Sequence, residues 1–355
     1  MKLTIKTSLL KNLLDKTDKC ASNNKMLPIT GMMCINVSDN KLTLTTTDGS
    51  NYLYVWDTVE SSDFYAVVDE SSFVKLVSKT TSDTMTFELV DSALKVYGNG
   101  TYSLELPVDE NGNLIKFPNP LHNVSYQPQF KWSKEALELI LKTNKATLST
   151  SLAEPCYTGY YVSNCVITSD RSVICHNDLN LLSNPVLVNP EIMNILSVFN
   201  SDVDVCLMSN DIIFKGTDCL AYGHLMNDID EYNAEAVINL VNTELPHKCE
   251  VNRNSLLNAL DRLSLFVSPY DKNAITLKFT NEYLEIRSAK LNAVERIKYA
   301  YINDVSDSTC DIDIEMFKKQ INVQSGDVVE LWYGNDVFIK MVDGDTTQLI
   351  PLLVE

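Results

Sequence analysis

Residues that often do chemistry are present in this chain, but their spacing assembles no reactive site. The four histidines lie far apart, and none has a metal-site spacing such as HxxxH: His122, His176, His224 and His247. Cys175 and His176 suggest a nucleophile beside a base, yet adjacent residues of a strand point to opposite faces. Cys219 and His224 fall in one predicted hairpin, and two potential ligands do not make a metal site.

Phosphate-binding and nucleophile motifs are also missing from the sequence. It contains no GxxxxGK[ST], GxGxxG or GxSxG, and 11 glycines in 355 residues are few for an enzyme that cradles phosphate. The carboxylates are numerous but are not paired by any motif. We therefore predict a protein that is not an enzyme and that uses neither a cofactor nor a metal.

The cysteines and the apolar residues indicate the cellular compartment in which the protein is expected. Nine cysteines are scattered singly without a CxxC pair, which favours the reducing cytoplasm over a disulfide framework or a zinc site. No run of 18 apolar residues occurs, and the first 16 residues carry a charge every few positions. We expect neither a membrane span nor a signal peptide.

A repeated order of elements is the most informative feature of the chain. A strand followed by an amphipathic helix is predicted at 3–17, 130–144 and 249–263, where apolar residues recur at helical spacing. We place the helix starts of the second and third copies near Ser133 and Asn254. Alternating stretches that resemble hairpins follow at 32–55, 160–182 and 274–297.

A second module of the same kind follows each of the first three. Strand and helix are predicted at 64–79, 186–199 and 310–323, and hairpins at 85–107, 203–226 and 327–353. Pro-bearing polar stretches near 118–120 and 244–246 mark the boundaries. The sequence predicts an α+β protein of three repeated domains, 1–121, 122–245 and 246–355, each with two strand–helix–hairpin halves.

Charge is distributed unevenly between these elements. The chain has a net charge of −18, which by itself argues against a nucleic-acid partner. The six predicted helical segments (2–25, 71–80, 130–146, 190–200, 248–263 and 315–322) nevertheless hold 17 of the 29 basic residues and 8 of the 47 acidic ones. That is +9 (17 − 8) on the helices and −27 (12 − 39) elsewhere. Basic helices on one surface would hold a phosphate backbone without reading bases.

The chain ends in QLIPLLVE, an apolar stretch in an acidic protein. This stretch is either the last strand of a core or part of a surface that another molecule uses. Because side chains alternate along a strand, one strand can serve both roles.

Several motifs, taken in order, resemble the bacterial-type sliding clamp, the beta subunit of DNA polymerase III. They are the opening MKLTI…LLKNLL, the KMLPI of residues 25–29, the LTLTTTDG of residues 42–49, the opening of the third domain, and a proline within the apolar C-terminal strand. The resemblance spans the whole chain at low similarity per residue. It implies a head-to-tail homodimer that closes a ring of six domains around duplex DNA, with helices facing the hole and sheets outside.

The resemblance also implies partners and the residues that meet them. A DNA polymerase and a clamp loader would insert a short linear motif into an apolar groove between the second and third domains. The expected DNA-facing residues are Lys11, Lys16, Lys25, Lys75, Lys79, Lys134, Lys142, Lys145, Arg253, Arg262 and Lys318. The expected groove residues are Tyr157, Cys175, Asn177, Asp178, Leu179, Phe317, Leu349, Ile350, Pro351, Leu352 and Leu353. The expected dimer interface pairs Tyr102 and Leu104, on an edge strand, with Phe266 and Val267. The alternative is that these four apolar residues belong to the core, because alternation alone does not say which face is buried.

The chain departs from the family pattern at the groove. The usual Thr-Asp-Gly-His-Arg is replaced by residues 175–179, which lack a basic residue, and the usual Arg-Leu ending is replaced by Val354-Glu355. The groove is therefore expected to prefer a different motif from the common one. Two other classes remain open at this stage: a β-rich structural or interaction protein built from triplicated domains, and an acidic DNA mimic. Neither class of protein would be expected to carry a net charge of +9 on its helices.

Overall fold

A computed structural model describes residues 2–22, 24–122, 124–288, 293–303 and 306–353. Within them lie seven α-helices: α1 (Thr7–Thr17), α2 (Glu70–Lys79), α3 (Lys134–Thr143), α4 (Pro190–Ile195), α5 (Ala234–Val241), α6 (Arg253–Leu263) and α7 (Ile314–Val323). The strands of the first third are β1 (Lys2–Lys6), β2 (Met32–Ser38), β3 (Lys41–Thr47), β4 (Tyr52–Thr58), β5 (Phe64–Asp69), β6 (Thr84–Val90), β7 (Ala93–Tyr97) and β8 (Thr101–Glu105).

The remaining strands repeat this arrangement. The middle third contains β9 (Phe130–Trp132), β10 (Tyr160–Val162), β11 (Val166–Ser169), β12 (Ile174–Asn177), β13 (Val186–Val188), β14 (Val203–Leu207), β15 (Asp211–Lys215) and β16 (Cys219–Met226). The last third contains β17 (His247–Asn252), β18 (Ala274–Phe279), β19 (Tyr283–Ser288), β20 (Val294–Asn303), β21 (Ser308–Asp313), β22 (Val328–Tyr333), β23 (Phe338–Asp343) and β24 (Thr346–Pro351).

Each third follows one order, a strand, a helix and three strands, and then the same again. The predicted α+β class and its repeated strand–helix modules are confirmed, while the predicted hairpins are three-stranded meanders. In 32–55, the first turn is Asp39-Asn40, where both residues have positive φ. A second turn at 48–51 separates β3 from β4; Asp48 accepts from the Ser50 and Asn51 amides there, and Gly49 has φ +105.

The strand–helix junctions have a common local cause. The last residue of the preceding strand caps three helices: Asp69 accepts from the Ser72 amide, Asn252 from Ser255, and Asp313 from Glu315 and Met316. The α6 cap is thus Asn252, and the start predicted at Asn254 was wrong, because Asn254 already lies inside the helix. Ser133, as predicted, accepts from the Ala136 amide at the start of α3.

The chain divides into two compact units. Unit 1 comprises residues 1–137 and 190–225, and unit 2 comprises 138–189 and 226–355. Unit 1 holds two antiparallel sheets, with strand orders β1-β6-β7-β8 and β5-β2-β3-β4-β16-β15-β14-β9. The helices of unit 1 bury Leu10, Leu13, Phe73 and Val77.

Unit 2 contains one antiparallel run of strands in the order β13-β10-β11-β12-β24-β23-β22-β17-β20-β19-β18-β21. Helices α6 and α7 pack on one face, and their apolar sides form a core with the strands. We call this face the inner face of the unit 2 sheet. Leu256, Leu260, Phe317 and Ile321 are fully buried in this core.

The two units do not coincide with the three predicted domains. In unit 1, β4 pairs with β16, with Tyr54 opposite Leu220; in unit 2, β12 pairs with β24, with Cys175 opposite Gln348. Each half of the predicted middle domain therefore continues the sheet of a neighbour. The division at 121 and 245 stays a prediction from the repeats.

Candidate nucleic-acid and partner surfaces

The helices as the structure bounds them carry less net charge than the predicted segments. The six predicted helices hold 10 basic and 7 acidic residues, which is +3 (10 − 7). The other basic residues of the predicted segments lie outside the α-helices, on strands, loops and, for Lys145, a short 3-10 helix: Lys2, Lys6, Lys19, Lys25, Lys131, Lys145 and Lys248. Helix α1 ends at Thr17, so Lys25 lies on the loop beyond it and not at the helix end that the sequence suggested. Asn23, its predicted neighbour, lies outside the described residues.

Unit 1 holds six of the predicted DNA-facing cations. Lys25, Lys75 and Lys79 are exposed, whereas Lys11, Lys16 and Lys134 are half-buried. The Lys11 ammonium donates to the Thr80 carbonyl over 2.9 Å, and Lys16 pairs with Asp218. Part of the charge on α1 is therefore compensated locally.

Unit 2 holds the other five, and several of these side chains also make local contacts. Arg253 donates to the carbonyls of Ile321 and Asn322, over 3.0 and 2.9 Å, and so ties α6 to the end of α7. Lys142 donates to the Gln324 carbonyl and the Ser325 hydroxyl. Two further residues form ion pairs: Arg262 with Glu295 at 2.7 Å, and Lys318 with Asp261 at 2.8 Å. Lys145 is exposed.

The predicted groove residues all belong to unit 2, and the alternation of strands divides them between two faces. Cys175, Asn177 and Ile350 are buried on the inner face, and Phe317 of α7 is buried in the same core. Leu349 is buried on the opposite, outer face. Tyr157, Leu179, Pro351, Leu352 and Leu353 are half-buried, and Asp178 is exposed. Val354 lies outside the described residues.

Buried polar side chains hold the C-terminal strand β24 on its inner face. The Asn177 amide donates to the Thr143 hydroxyl over 2.9 Å and accepts from the Thr346 hydroxyl. Next along β24, the Gln348 amide donates to Gln320 over 2.8 Å and accepts from Gln324 over 3.2 Å. Buried polar groups require such partners, so these bonds specify the position of β24.

An apolar cluster lies on the outer face beside β24. We call it the outer cluster. Its buried members include Ile174, Phe338 and Leu349, and Tyr157 and Trp332 pack against it half-buried. The structure therefore brings Tyr157 and Leu349, two predicted groove residues, into one cluster and separates them from Cys175, Asn177, Phe317 and Ile350.

The segment that covers part of this cluster was missed by the sequence reasoning. Helix α5 contributes Val237 and Val241 to the outer cluster. Asn233 caps it by accepting from the Ala236 amide, and the Lys340 ammonium donates to the carbonyls of Val241 and Thr243, over 2.8 and 2.6 Å. The capping Asn followed by apolar residues four apart was the available signal. The repeat pattern did not predict this helix, because the other two thirds have no equivalent helix among their described residues.

The structure separates the candidate nucleophile from the candidate base. Cys175 and His176 face opposite sides of β12, and burial raises the pKa of the Cys175 thiol to about 12. Burial also lowers the pKa of His176. Over the described ranges, no group of three or more His, Cys, Asp and Glu is arranged to hold a metal ion, and no helix is long and apolar enough to cross a membrane. All nine cysteines are free thiols.

The predicted interface residues lie at exposed positions of each unit. In unit 1, β8 pairs with β7, and no other described strand covers its second edge. Tyr102 is 40% exposed on this edge strand, and Leu104 is half-buried. In unit 2, Phe266 is 44% exposed just after α6, beside Leu265 at 79%. Val267 is half-buried.

Comparison with known proteins identifies consistent relatives. Residues 1–114 match the family described as the DNA polymerase III beta subunit, N-terminal domain. A "Beta sliding clamp" of Staphylococcus epidermidis is 22% identical over 313 residues, covering 81% of this chain and 80% of that protein. Among solved structures, the sliding clamp of Bacillus subtilis has 18% identity, with 100% of this chain and 99% of that chain covered at a TM-score of 0.86. The beta subunit of Streptococcus pyogenes DNA polymerase has 17% identity, complete coverage of both chains and a TM-score of 0.87.

Proposed function

Because this chain is a divergent member of the DNA polymerase III beta subunit family, the DNA sliding clamps, we propose that it acts in DNA replication by encircling duplex DNA. As a ring it would serve as a processivity factor. A ring cannot leave DNA sideways, so a polymerase tethered to it stays on the template. One observation carries the proposal: the first 114 residues match the family, and the clamp fold continues through the entire chain.

The ring would be a head-to-tail homodimer. The open edge of β8 with Tyr102 supports strand pairing with a second copy, because an uncovered edge presents unpaired main-chain groups. The exposed Leu265 and Phe266 support an apolar contact on the other side of that interface. A contact between two different surfaces closes into a ring when the rotation between copies is right.

Binding of the protein to DNA would be electrostatic and weak. Lys25, Lys75 and Lys79 are exposed and suited to phosphate contacts, while Lys16, Arg262 and Lys318 are each paired with a carboxylate. Phosphate contacts of this kind carry no sequence information and fall with salt. A topological link makes tight binding unnecessary and leaves sliding fast.

The clamp would have no catalytic site of its own and would act in the cytoplasm. The deeply buried thiols support a reducing compartment, since eight of the nine free cysteines are buried. A DNA polymerase and a clamp loader would be its protein partners, docking through a short linear motif near the C-terminal strand. The half-buried Pro351, Leu352 and Leu353 support this location.

Two measurements on the full chain test the proposal. Light scattering should give a mass of about twice 39.9 kDa. Protein assembled on nicked circular DNA, at low salt or with a loader, should be retained on the circle and lost after the circle is linearised. A monomer, or retention that does not depend on DNA ends, would overturn the ring.

A further inference from the structure

The outer cluster is bordered by carboxylates from four of the chain segments that contribute to it or lie beside it. Residues 149–158, 175–182, 226–245 and 343–353 contain nine Asp and Glu residues and no Lys or Arg: Glu154, Asp178, Asp228, Asp230, Glu231, Glu235, Glu244, Asp343 and Asp345. A chain with 29 basic residues has thus placed none of them in these four segments. Asp343 is turned away from the outer cluster, because its carboxylate accepts from the Ser325 and Gly326 amides beyond α7. The other acidic residues make this face negative.

Contacts inside unit 2 place several of these carboxylates at the cluster itself. Glu231, Glu154 and Asp228 lie close enough to Cys156, a member of the outer cluster, to add to the effect of burial in raising the pKa of its thiol. Asp178 acts in the same way on Cys165, another member. The amide of Asp178 donates to the Asp345 carbonyl over 2.9 Å, which brings the turn between β23 and β24 to the same place.

Three basic side chains near the cluster are engaged in local contacts. Lys248 lies over the Trp332 ring, 5.3 Å from its centroid, and pairs with Glu330 at 2.6 Å. Arg171 pairs with Glu154 at 2.9 Å. The Lys340 ammonium is half-buried against the carbonyls at the end of α5, and burial lowers its pKa. None of the three cations pairs with the exposed carboxylates of Asp178 and Glu231; their carboxylate partners are Glu154 for Arg171, and Glu250 and Glu330 for Lys248.

Apolar side chains remain accessible within this acidic border. Tyr157, Ile238 and Trp332 are half-buried against the cluster, and Val337 is 60% exposed where its carbonyl accepts from the Leu352 amide. The side chain of Tyr232 is buried against Tyr157 and Tyr161, and its hydroxyl has no hydrogen-bond partner within the described residues. A buried hydroxyl without a partner is unfavourable, and a docked segment would bring main-chain carbonyls to this face.

We propose that the outer cluster docks a short extended segment of a protein partner that carries apolar anchors flanked by lysine or arginine. The anchors would pack on Tyr157 and Trp332, and the flanking cations would meet Asp178, Glu231 and the neighbouring carboxylates. The inference rests on the proposed function, because it assigns a charge preference to the partner site of the clamp. It also follows from the loss of a basic residue at 175–179.

Three synthetic peptides test the preference on the full-length protein by fluorescence anisotropy. All are nonapeptides: one has leucine and phenylalanine anchors flanked by two lysines, one has the same anchors flanked by two glutamates, and one keeps the lysines with alanine at the anchors. At low salt the first should bind roughly tenfold tighter than either of the others, since it alone combines the apolar anchors with flanking charges opposite to those of the border. The preference for lysine over glutamate should shrink as salt is raised.

A charge-reversed variant makes the test specific to this face. In Asp178→Lys/Glu231→Lys the preference for the lysine peptide should fall about tenfold or invert. Glu60→Lys/Glu110→Lys changes the net charge equally at exposed positions of unit 1 and should keep the preference. Any of four results would overturn the proposal. They are equal binding of the lysine and glutamate peptides, tighter binding of the glutamate peptide, equal binding of the lysine peptides with and without the apolar anchors, and no binding at all. Retention of the same protein on nicked circles is measured in parallel, so failure of the peptide preference is distinguishable from failure of the ring.

Discussion

The side-chain amide of Gln348, on the C-terminal strand β24, donates to the side-chain oxygen of Gln320 on helix α7 over 2.8 Å, and both residues are buried. Two residues away, Ile350 is buried in the same inner core, whereas Leu349 between them faces the outer cluster. The apolar C-terminus is therefore a core strand with a second face, because side chains alternate along it. Its inner face is held by amide hydrogen bonds as well as by apolar contact.

Replacing Gln348 by leucine should destabilise unit 2. The change keeps the volume roughly constant but leaves the buried oxygen of Gln320 and the buried amide of Gln324 without their partner. We expect the free energy of unfolding in urea to fall by about 1–3 kcal/mol. Thr347→Ala, on the half-buried outer side of the same strand, should change it by less than about 0.5 kcal/mol. Equal losses in the two variants would show that the amide bonds do not specify the strand.

The exposed lysines near α1 and α2 should set the salt dependence of DNA binding. Replacing Lys25, Lys75 and Lys79 together by glutamine should reduce the slope of log K against log salt by about 0.9 for each phosphate contact that is lost. Binding to a short linear duplex, titrated at several salt concentrations, measures this slope. A matched triple variant at exposed lysines outside the helices, Lys116, Lys215 and Lys298, should leave the slope unchanged. An unchanged slope in the first variant would remove these lysines from the DNA surface.

Glu295 should restrain the DNA contact of Arg262. The two form a bidentate pair at 2.7 and 3.1 Å, and Arg262 holds the pKa of the Glu295 carboxyl below its usual value. Glu295→Gln weakens this pair and frees the guanidinium for phosphate, so duplex binding should become roughly threefold tighter at low salt. The exposed Glu282→Gln removes the same charge at another site and serves as the control. The same gain in both variants would mean that net charge alone is responsible.

Acid stability should depend on Glu285. The carboxylate is buried between Arg296, 2.7 Å away, and Arg287, and these partners hold its pKa below the ordinary value of 4.5. A carboxyl whose pKa is lowered in the folded state stabilises that state above the unfolded pKa. This contribution is lost as the pH falls from about 4.5 through the folded value. Melting temperatures recorded from pH 7 to pH 3 should therefore fall less steeply below pH 4.5 for Glu285→Gln than for the unchanged protein, and parallel curves would contradict this role.

Elements of the fold could be predicted from the sequence where they have a local sequence pattern. The strand–helix modules could be located because a strand that ends in Asp or Asn and leads into an amphipathic helix has a strong local pattern, as at Asp69 and Asp313. The third strand of each meander was harder to find, because the turn at 48–51 depends on side-chain hydrogen bonds from Asp48. Helix α5 lies outside the repeat and was missed for that reason.

The candidate surfaces were less predictable than the fold. Sequence similarity placed Cys175, Asn177 and Ile350 at the groove, but a one-residue difference in position moves a side chain to the opposite face of a strand. Pairing across the sheet decides that face, and the partner strand β24 lies about 170 residues away from β12. Ion pairs such as Lys16 with Asp218 are likewise long-range and have no local signature. The number of basic residues on the predicted helices could be counted from the sequence. Which of them form ion pairs with carboxylates elsewhere in the chain could not be predicted.

The exposed apolar residues after α6 should hold two copies together. Phe266 is 44% exposed in unit 2, and its neighbour Leu265 is 79% exposed, while the open edge of β8 in unit 1 offers unpaired main-chain groups. Phe266→Glu would bury a carboxylate in an apolar contact, which costs several kcal/mol unless the charge is paired. We expect light scattering to show a monomer at micromolar concentration, with an unchanged circular dichroism spectrum that shows the chain is still folded; the melting temperature should fall because the second copy no longer stabilises the fold. Val337→Glu, at a residue that is 60% exposed elsewhere in unit 2, should remain a dimer.

A Phe266→Glu dimer as stable as the unchanged protein would place the subunit contact elsewhere. If the monomer instead retained full binding to closed circles, closure of a ring would not be the basis of DNA retention.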